Sequence, residues 1–163
     1  IVGLVMGSSP NWPSKRWPSA SFQELGRRLL EKYEARIILI GSKDEAVLGE
    51  AFHGFGDGKV LDIIGKTHLQ DLPAVFEQLH LVVTGDTAPL HLAAAMGVPT
   101  LALFGPTDAR RHLPPGKKVS VLAHHLACQP CYQGVCKEKE PMACLTRISV
   151  DEVFEHCQRL LAL

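Results

Sequence analysis

The sequence predicts an α/β domain, a parallel sheet with helices on both faces. Three observations carry that expectation. Short apolar runs alternate with helical patterns along the whole 163-residue chain. The runs are apolar at successive positions, as strands covered on both faces are, and do not alternate with polar residues. The connections between runs and helical patterns are short, which suits strand–helix–strand crossovers.

In chain order, Ile1 to Met6 reads as a first buried strand, followed by a loop from Gly7 to Pro18 that holds Trp12, Lys15, Arg16 and Trp17. A helix is expected over Ser21 to Tyr33, with Ser21 and Glu24 as a capping box and Phe22, Leu25, Leu29 and Tyr33 on one face. Trp17 is expected to anchor that helix in the core. Arg36 to Ile40 is the second strand. Ser42 and Glu45 form a second capping box, before a helix lined by Val47, Leu48, Ala51, Phe52 and Phe55. Val60 to Ile64 is the third strand. Thr67 and Gln70 then open a helix whose apolar face is Leu69, Leu72, Val75, Phe76 and Leu79.

The stretch Leu81 to Pro106 holds a complete strand–turn–helix–strand unit. Leu81 to Val83 is apolar and ends in the polar turn Thr84 to Ala88. Asp86 or Thr87 is placed to cap the next helix, and Pro89 suits its first turn, where a missing amide hydrogen costs nothing. Gly97 closes the helix, Pro99 stops it, and Thr100 to Phe104 is the next strand. A basic, proline-rich loop (Gly105 to Gly116) leads to a short strand over Val119 to Leu122. Ser149 and Glu152 cap a last helix, with Val150, Val153, Phe154, Cys157, Leu160 and Leu161 turned inward.

Composition narrows the function. Apolar residues make up 46% of the chain and charged residues 21%, and the formal net charge is zero. That balance fits one globular domain, here 1–163, and gives no general argument for nucleic acid or a membrane surface. No run is long enough to span a bilayer, and no signal-peptide pattern is present. The chain starts at Ile1, directly in a strand, as an excised part of a longer protein would. Neither the Gly-x-Gly-x-x-Gly dinucleotide fingerprint nor a Walker-type phosphate loop occurs, which disfavours common dehydrogenases and nucleoside triphosphatases.

In a parallel sheet, ligands bind at the carboxyl ends of the strands. The loops Gly7 to Pro18, Gly41 to Glu45, Gly65 to Leu69, Thr84 to His91 and Gly105 to Arg111 are all expected on that edge. The central turn combines a helix amino terminus, two hydroxyls, a carboxylate and His91, a set that suits an anion such as a phosphate. A capped turn that binds nothing is the plain alternative.

Several loops together resemble glycosyltransferase family 9, the ADP-heptose:lipopolysaccharide heptosyltransferases, in their carboxy-terminal domain. The residues that carry the likeness are Gly7-Ser8-Ser9, Lys15-Arg16-Trp17-Pro18, Ile40-Gly41-Ser42, Asp86-Thr87-Ala88-Pro89-Leu90-His91 and Phe104-Gly105-Pro106-Thr107. The family turn commonly has glycine at the position of Ala88, so the backbone there must keep a negative φ. The resemblance implies one Rossmann-like half of a two-domain GT-B fold. It also implies an inverting, metal-independent transfer of heptose from ADP-heptose to the lipid A–core acceptor. The missing amino-terminal domain would bind that acceptor and supply the general base. No catalytic residue and no cofactor is then expected in this chain. A cytoplasmic location is expected, at the inner face of the bacterial inner membrane, with peripheral membrane association open to the full protein.

By the same resemblance, Ser8, Ser9 and Lys15 would contact the donor diphosphate, with Thr87, Ala88 and His91 doing so from the central turn. Asp86 would hold that turn or reach the donor sugar. Asp44 or Glu45 would lie near the ribose, and adenine would sit near Gly41 and the Ile64 to Leu69 loop. Another sugar-nucleotide enzyme of this fold, using a uridine nucleotide, is the nearest alternative.

One further constellation stands apart, Cys128-x2-Cys131-x4-Cys136-x7-Cys144. Four thiols this close can form a tetrahedral zinc site, although the spacing is not a pair of Cys-x-x-Cys knuckles. A loop of reduced thiols, an adventitious disulfide, and a metal-stapled interaction module without a nucleotide site are the alternatives. Cys157 is expected in the core.

Overall fold

The structure is a computed structural model, and it describes residues 1–162. Leu163, the last residue of the expected domain, lies outside the described residues. The strands are β1 (Val2–Val5), β2 (Ile37–Ile40), β3 (Val60–Asp62), β4 (Leu81–Gly85), β5 (Thr100–Phe104) and β6 (Val119–Ala123). They form one six-stranded sheet in the order β3-β2-β1-β4-β5-β6, and every neighbouring pair is parallel. The helices are α1 (Ser19–Tyr33), α2 (Ala46–Gly49), α3 (Leu72–Phe76), α4 (Ala88–Ala95), α5 (Ala109–His112), α6 (Ala143–Thr146) and α7 (Val150–Leu161).

Successive strand residues point to opposite faces, and each face meets its own helices. On one face Leu4, Leu39, Leu81, Val83, Leu101 and Leu103 pack with Phe22, Leu25 and Leu29 of α1 and Val153, Cys157 and Leu160 of α7. On the other, Val5, Ile40 and Val82 meet Leu72 and Phe76 of α3 and Ala93 of α4. Leu90 joins Ala102 and Phe104 on that same side. Burying each of these Val, Leu, Ile and Phe side chains contributes about 1.5–3 kcal/mol, so the inner strands are fixed far more firmly than the edge.

The central unit forms as its pattern predicts. β4 and β5 are buried at every position, and Gly97, at φ 71, ends the chain's excursion along α4. Trp17 is buried, donates from Nε1 to the Ile148 carbonyl at 3.0 Å, and meets Phe22 edge-on. The Ser149–Glu152 box of α7 is present.

Other expectations are corrected. α1 begins at Ser19, directly after Pro18, so Ser21 is already inside the helix and caps nothing. Glu24 instead holds Arg27 and Arg28, and Tyr33 is largely exposed. The helix expected after Ser42 is broken into two 3-10 turns around the four-residue α2, which leaves Val47 exposed. Asp71, not Gln70, closes the next box, by accepting from the His68 amide at 2.7 Å. β3 is three residues long at the sheet edge, and Leu61 and Leu69 face solvent. For Leu61 the edge position explains this, because one side of β3 has no neighbouring strand to cover it, whereas Leu69 lies outside β3, in the turn before α3.

Candidate functional site

The strand order fixes where a site can form. β1 leads on to β2 on one side, and β4 leads to β5 on the other. The loops after β1 and β4 therefore leave the sheet in opposite directions and open a crevice between them. A cleft of about 650 Å³ occupies this place. Ser8, Ser9, Lys15, Asp44, Glu45, Asp86, Thr87, Ala88 and His91 all line it, together with Trp12, Gly41, His68 and Leu69. Four of the five loops expected on one edge thus line one space, and the fifth, Gly105 to Arg111, touches it only through the Thr107 contact with Asp86.

Lys15 and Asp86 form its polar floor. The Lys15 ammonium donates to Asp86 Oδ2 at 2.7 Å and to the Asp86 carbonyl at 3.3 Å, and it stands 4.6 Å from the Trp12 ring centroid. Both side chains are largely buried. Thr107 Oγ1 donates to the same Oδ2 at 2.8 Å. The turn after β5 therefore helps to hold the carboxylate that holds the lysine. Thr107 belongs to the Phe-Gly-Pro-Thr stretch, but nothing in its local pattern signals this contact. A lysine has three donors, so two held by Asp86 leave one for a ligand.

The helix end beside this pair is open. Thr87 occupies the N-cap position of α4 with extended backbone, yet no side-chain oxygen accepts from the first-turn amides. Neither Asp86 nor Thr87 caps it, contrary to the sequence expectation. Asp86 is turned to Lys15 and Thr107, and Thr87 Oγ1 lies 3.2 Å from Thr84 Oγ1. Pro89 has no amide hydrogen, and the Leu90 amide turns back to the Thr87 carbonyl. The Ala88 amide has no partner among the described residues. Ala88 is helical and absent from the positive-φ positions, so the negative φ that alanine requires at this turn is present. His91, exposed on α4, faces the same cleft.

The remaining residues differ in what they offer. The Ser8 hydroxyl is committed within the protein: it donates to the Trp12 carbonyl at 2.7 Å and accepts from Arg16 Nε at 3.1 Å. Arg16 also donates to the Ser8 carbonyl, a role for Arg16 that its sequence position does not reveal. Ser9 and Asp44 are exposed on the cleft rim. Glu45 is buried and accepts from the Ser42 amide through Oε2 at 2.6 Å. Its carboxylate lies against Gly7, where an added Cβ would stand 1.9 Å from Glu45 Cδ. Only glycine at position 7 lets this carboxylate reach the cleft.

The four cysteines lie elsewhere, around a second cavity. Burial and the three neighbouring thiols push the Cys144 thiol up to about 11. Cys157 is fully buried in the core, which pushes its thiol up to about 12.

Fold and cleft together define a class, a Rossmann-like domain with a charged crevice at its switch point. A sequence model of glycosyltransferase family 9 (heptosyltransferase) matches residues 1–141, and the chain belongs to that family. It is 29% identical to the lipooligosaccharide heptosyltransferase 2 of Campylobacter jejuni, over 99% of this chain and 51% of that protein. Among solved structures, the Escherichia coli ADP-heptose lipopolysaccharide heptosyltransferase II superposes with a TM-score of 0.82 at 24% identity, over 99% of this chain and 46% of that one. The E. coli heptosyltransferase WaaC with ADP superposes with a TM-score of 0.75 at 23% identity, over 98% of this chain and 43% of that one. These likenesses bear out the fold class, a sheet of the kind found in GT-B heptosyltransferases. The chain spans about half the length of the curated relatives it matches.

Proposed function

We propose that this chain is the donor-binding half of an inverting heptosyltransferase that takes heptose from ADP-heptose and passes it to the lipopolysaccharide core. The observation that carries the proposal is the pairing of Lys15 with Asp86 beside the uncapped amino terminus of α4, in the crevice at the switch point. When a glycosidic bond to a diphosphate breaks, negative charge collects on the phosphate oxygens. A fixed ammonium and a helix amino terminus stabilise that charge without reorganising at the moment of reaction.

In this reading Lys15 donates its free hydrogen to the diphosphate. The Ala88 amide, the Thr87 hydroxyl and His91 reach it from the adjacent amino terminus of α4, and Ser9 from the rim. Ser8 acts through its backbone and by fixing Arg16. Asp86 holds the lysine through Oδ2, which leaves Oδ1 for a donor-sugar hydroxyl. Glu45, the more enclosed of the two acidic candidates, meets the ribose, and Asp44 stands at the rim. Adenine lies along Gly41, His68 and Leu69. The acceptor and the general base belong to the remainder of the protein, so the chain by itself does not turn over. The full protein would work on the cytoplasmic side of the inner membrane. No described helix is long and apolar enough to cross a membrane.

Calorimetric titration with ADP, UDP and GDP tests the proposal. ADP is expected to bind in preference to the other two, and His91→Ala to weaken it. A preference for UDP would move the chain to another sugar-nucleotide enzyme. Absence of nucleotide binding by the full two-domain protein would overturn the reading altogether.

A further inference from the structure

The segment between α5 and α7 carries a second feature that the donor cleft does not use. Cys128, Cys131, Cys136 and Cys144 line one cavity of about 390 Å³. Three of them are half-buried and Cys144 is buried. The backbone around them is shaped toward sulfur. The Met142 amide donates to Cys136 Sγ at 3.2 Å. Met142 has φ 55, and Tyr132, directly after Cys131, has φ 51. A non-glycine residue in the left-handed region costs about 1 kcal/mol or more, and here two such residues flank the cysteines. Lys137 and Lys139 line the same cavity beside Glu138 and Glu140, and Arg147 there is paired with Glu140.

We propose that these four cysteines bind one tetrahedral, thiolate-preferring metal ion, zinc or iron, and that the ion braces the loop carrying Lys15. Four sulfur ligands are the set such ions select over magnesium or calcium. As they stand, no three described His, Cys, Asp or Glu side chains are set to hold a metal. Binding therefore turns the thiols inward about their Cβ atoms, into the cavity they already share.

The brace follows from what lies between Cys128 and Cys136. The Ser14 hydroxyl donates to the Gln133 carbonyl at 2.6 Å, and the Ser14 amide to the Gly134 carbonyl at 3.1 Å. An added Cβ on Gly134 would stand 2.1 Å from the Asn11 carbonyl oxygen, so the two backbones are in close contact. On its other side the segment reaches the turn that carries Thr107. The Tyr132 amide donates to the Pro106 carbonyl, and the Gln129 amide group to the Gly105 carbonyl. Ser14 precedes Lys15, and Thr107 holds Asp86. An ion that fixes this segment fixes both supports of the Lys15–Asp86 pair.

The test does not depend on nucleotide binding. The protein is purified anaerobically under reducing conditions, its metal content is measured, and it is then stripped and titrated with Zn²⁺ and with Co²⁺. The expected result is one zinc or iron per chain, and a cobalt form with sulfur-to-metal charge-transfer and tetrahedral ligand-field absorption. Cys136→Ser and Cys131→Ser should lose the ion, whereas Cys157→Ser should keep it. Stripping the ion from the wild type should speed hydrogen exchange at the Ser14 amide by about tenfold. A fully reduced wild-type protein that binds neither metal, or a cobalt form without thiolate absorption, would overturn the site. Unchanged exchange at Ser14 on stripping would overturn the brace.

Discussion

The amino termini of α7 and α4 are built from similar residues and used differently. At α7, Ser149 Oγ accepts from the Glu152 amide at 3.2 Å, and Glu152 Oε2 accepts from the Ser149 amide at 2.8 Å. The helix closes on itself, and its apolar side, Val153, Cys157 and Leu160, packs against the sheet. At α4, Thr87 stands in the same N-cap position, but its hydroxyl turns to Thr84 and the neighbouring carboxylate of Asp86 turns to a lysine. A capped end satisfies its own amides and serves stability. An uncapped end beside a buried ammonium forgoes that stabilisation and keeps polar groups for a ligand. The contrast, more than either helix alone, separates scaffold from site.

The largest effect is expected from Lys15→Ala. It leaves Asp86 buried with only Thr107 for a partner, and breaking a buried pair costs about 3–5 kcal/mol. Lys15 retains some solvent contact, which places the loss near 3 kcal/mol by denaturant titration. ADP affinity should fall by about a hundredfold, the worth of one strong charge-assisted hydrogen bond. A variant of normal stability and normal affinity would remove the α4 end from any special role.

Raising the pH weakens the α7 side through Cys157. Cys157 is fully buried and its thiol is pushed up to about 12, because burial disfavours the thiolate. In the unfolded chain the same thiol ionises near its ordinary value, about 8.5. The unfolded state therefore loses its proton first. The stability this group contributes is complete below that value and declines as pH rises toward 12, by up to about 1.4 kcal/mol per pH unit. Cys157→Ala should remove this part of the alkaline slope, as urea titrations at several pH values would record.

Smaller effects sharpen the contrast between the helix ends. Ser149→Ala should cost about 1 kcal/mol of stability and leave ADP affinity unchanged. Thr87→Ala should do the reverse. Its hydroxyl caps nothing, so stability should change by less than about 0.5 kcal/mol, while ADP affinity falls by about tenfold. Loss of stability in the second variant without loss of affinity would make α4 another structural cap.

What could be read from the sequence follows how local the interactions are. β4 and β5 were legible because Leu81 to Val83 and Thr100 to Phe104 are apolar throughout and buried on both faces. The Ser149–Glu152 box was legible because it is made within one helical turn. The box at Ser21 was not, because Pro18 starts α1 before Ser21 is reached. The helix start expected at Thr67 and Gln70 falls one residue later, where Asp71 reaches the His68 amide. For the site, the loops converging on one edge were legible from topology alone. The pairing inside it was not: Lys15 and Asp86 are 71 residues apart, and only the β1–β4 adjacency brings them together. The same adjacency draws Asp86 and Thr87 away from the capping role their residue types suggest.

The most direct measurement is an amide-resolved NMR titration with ADP. The account predicts that the Thr87, Ala88 and Leu90 amides and the Lys15 ammonium resonance shift with a common affinity, while the Val150, Asp151 and Glu152 amides at the closed end of α7 stay in place. Adenosine, which lacks phosphates, should leave the Ala88 amide unmoved. Equal shifts at Ala88 with adenosine and ADP, or ADP shifts that spare the amino terminus of α4, would contradict it.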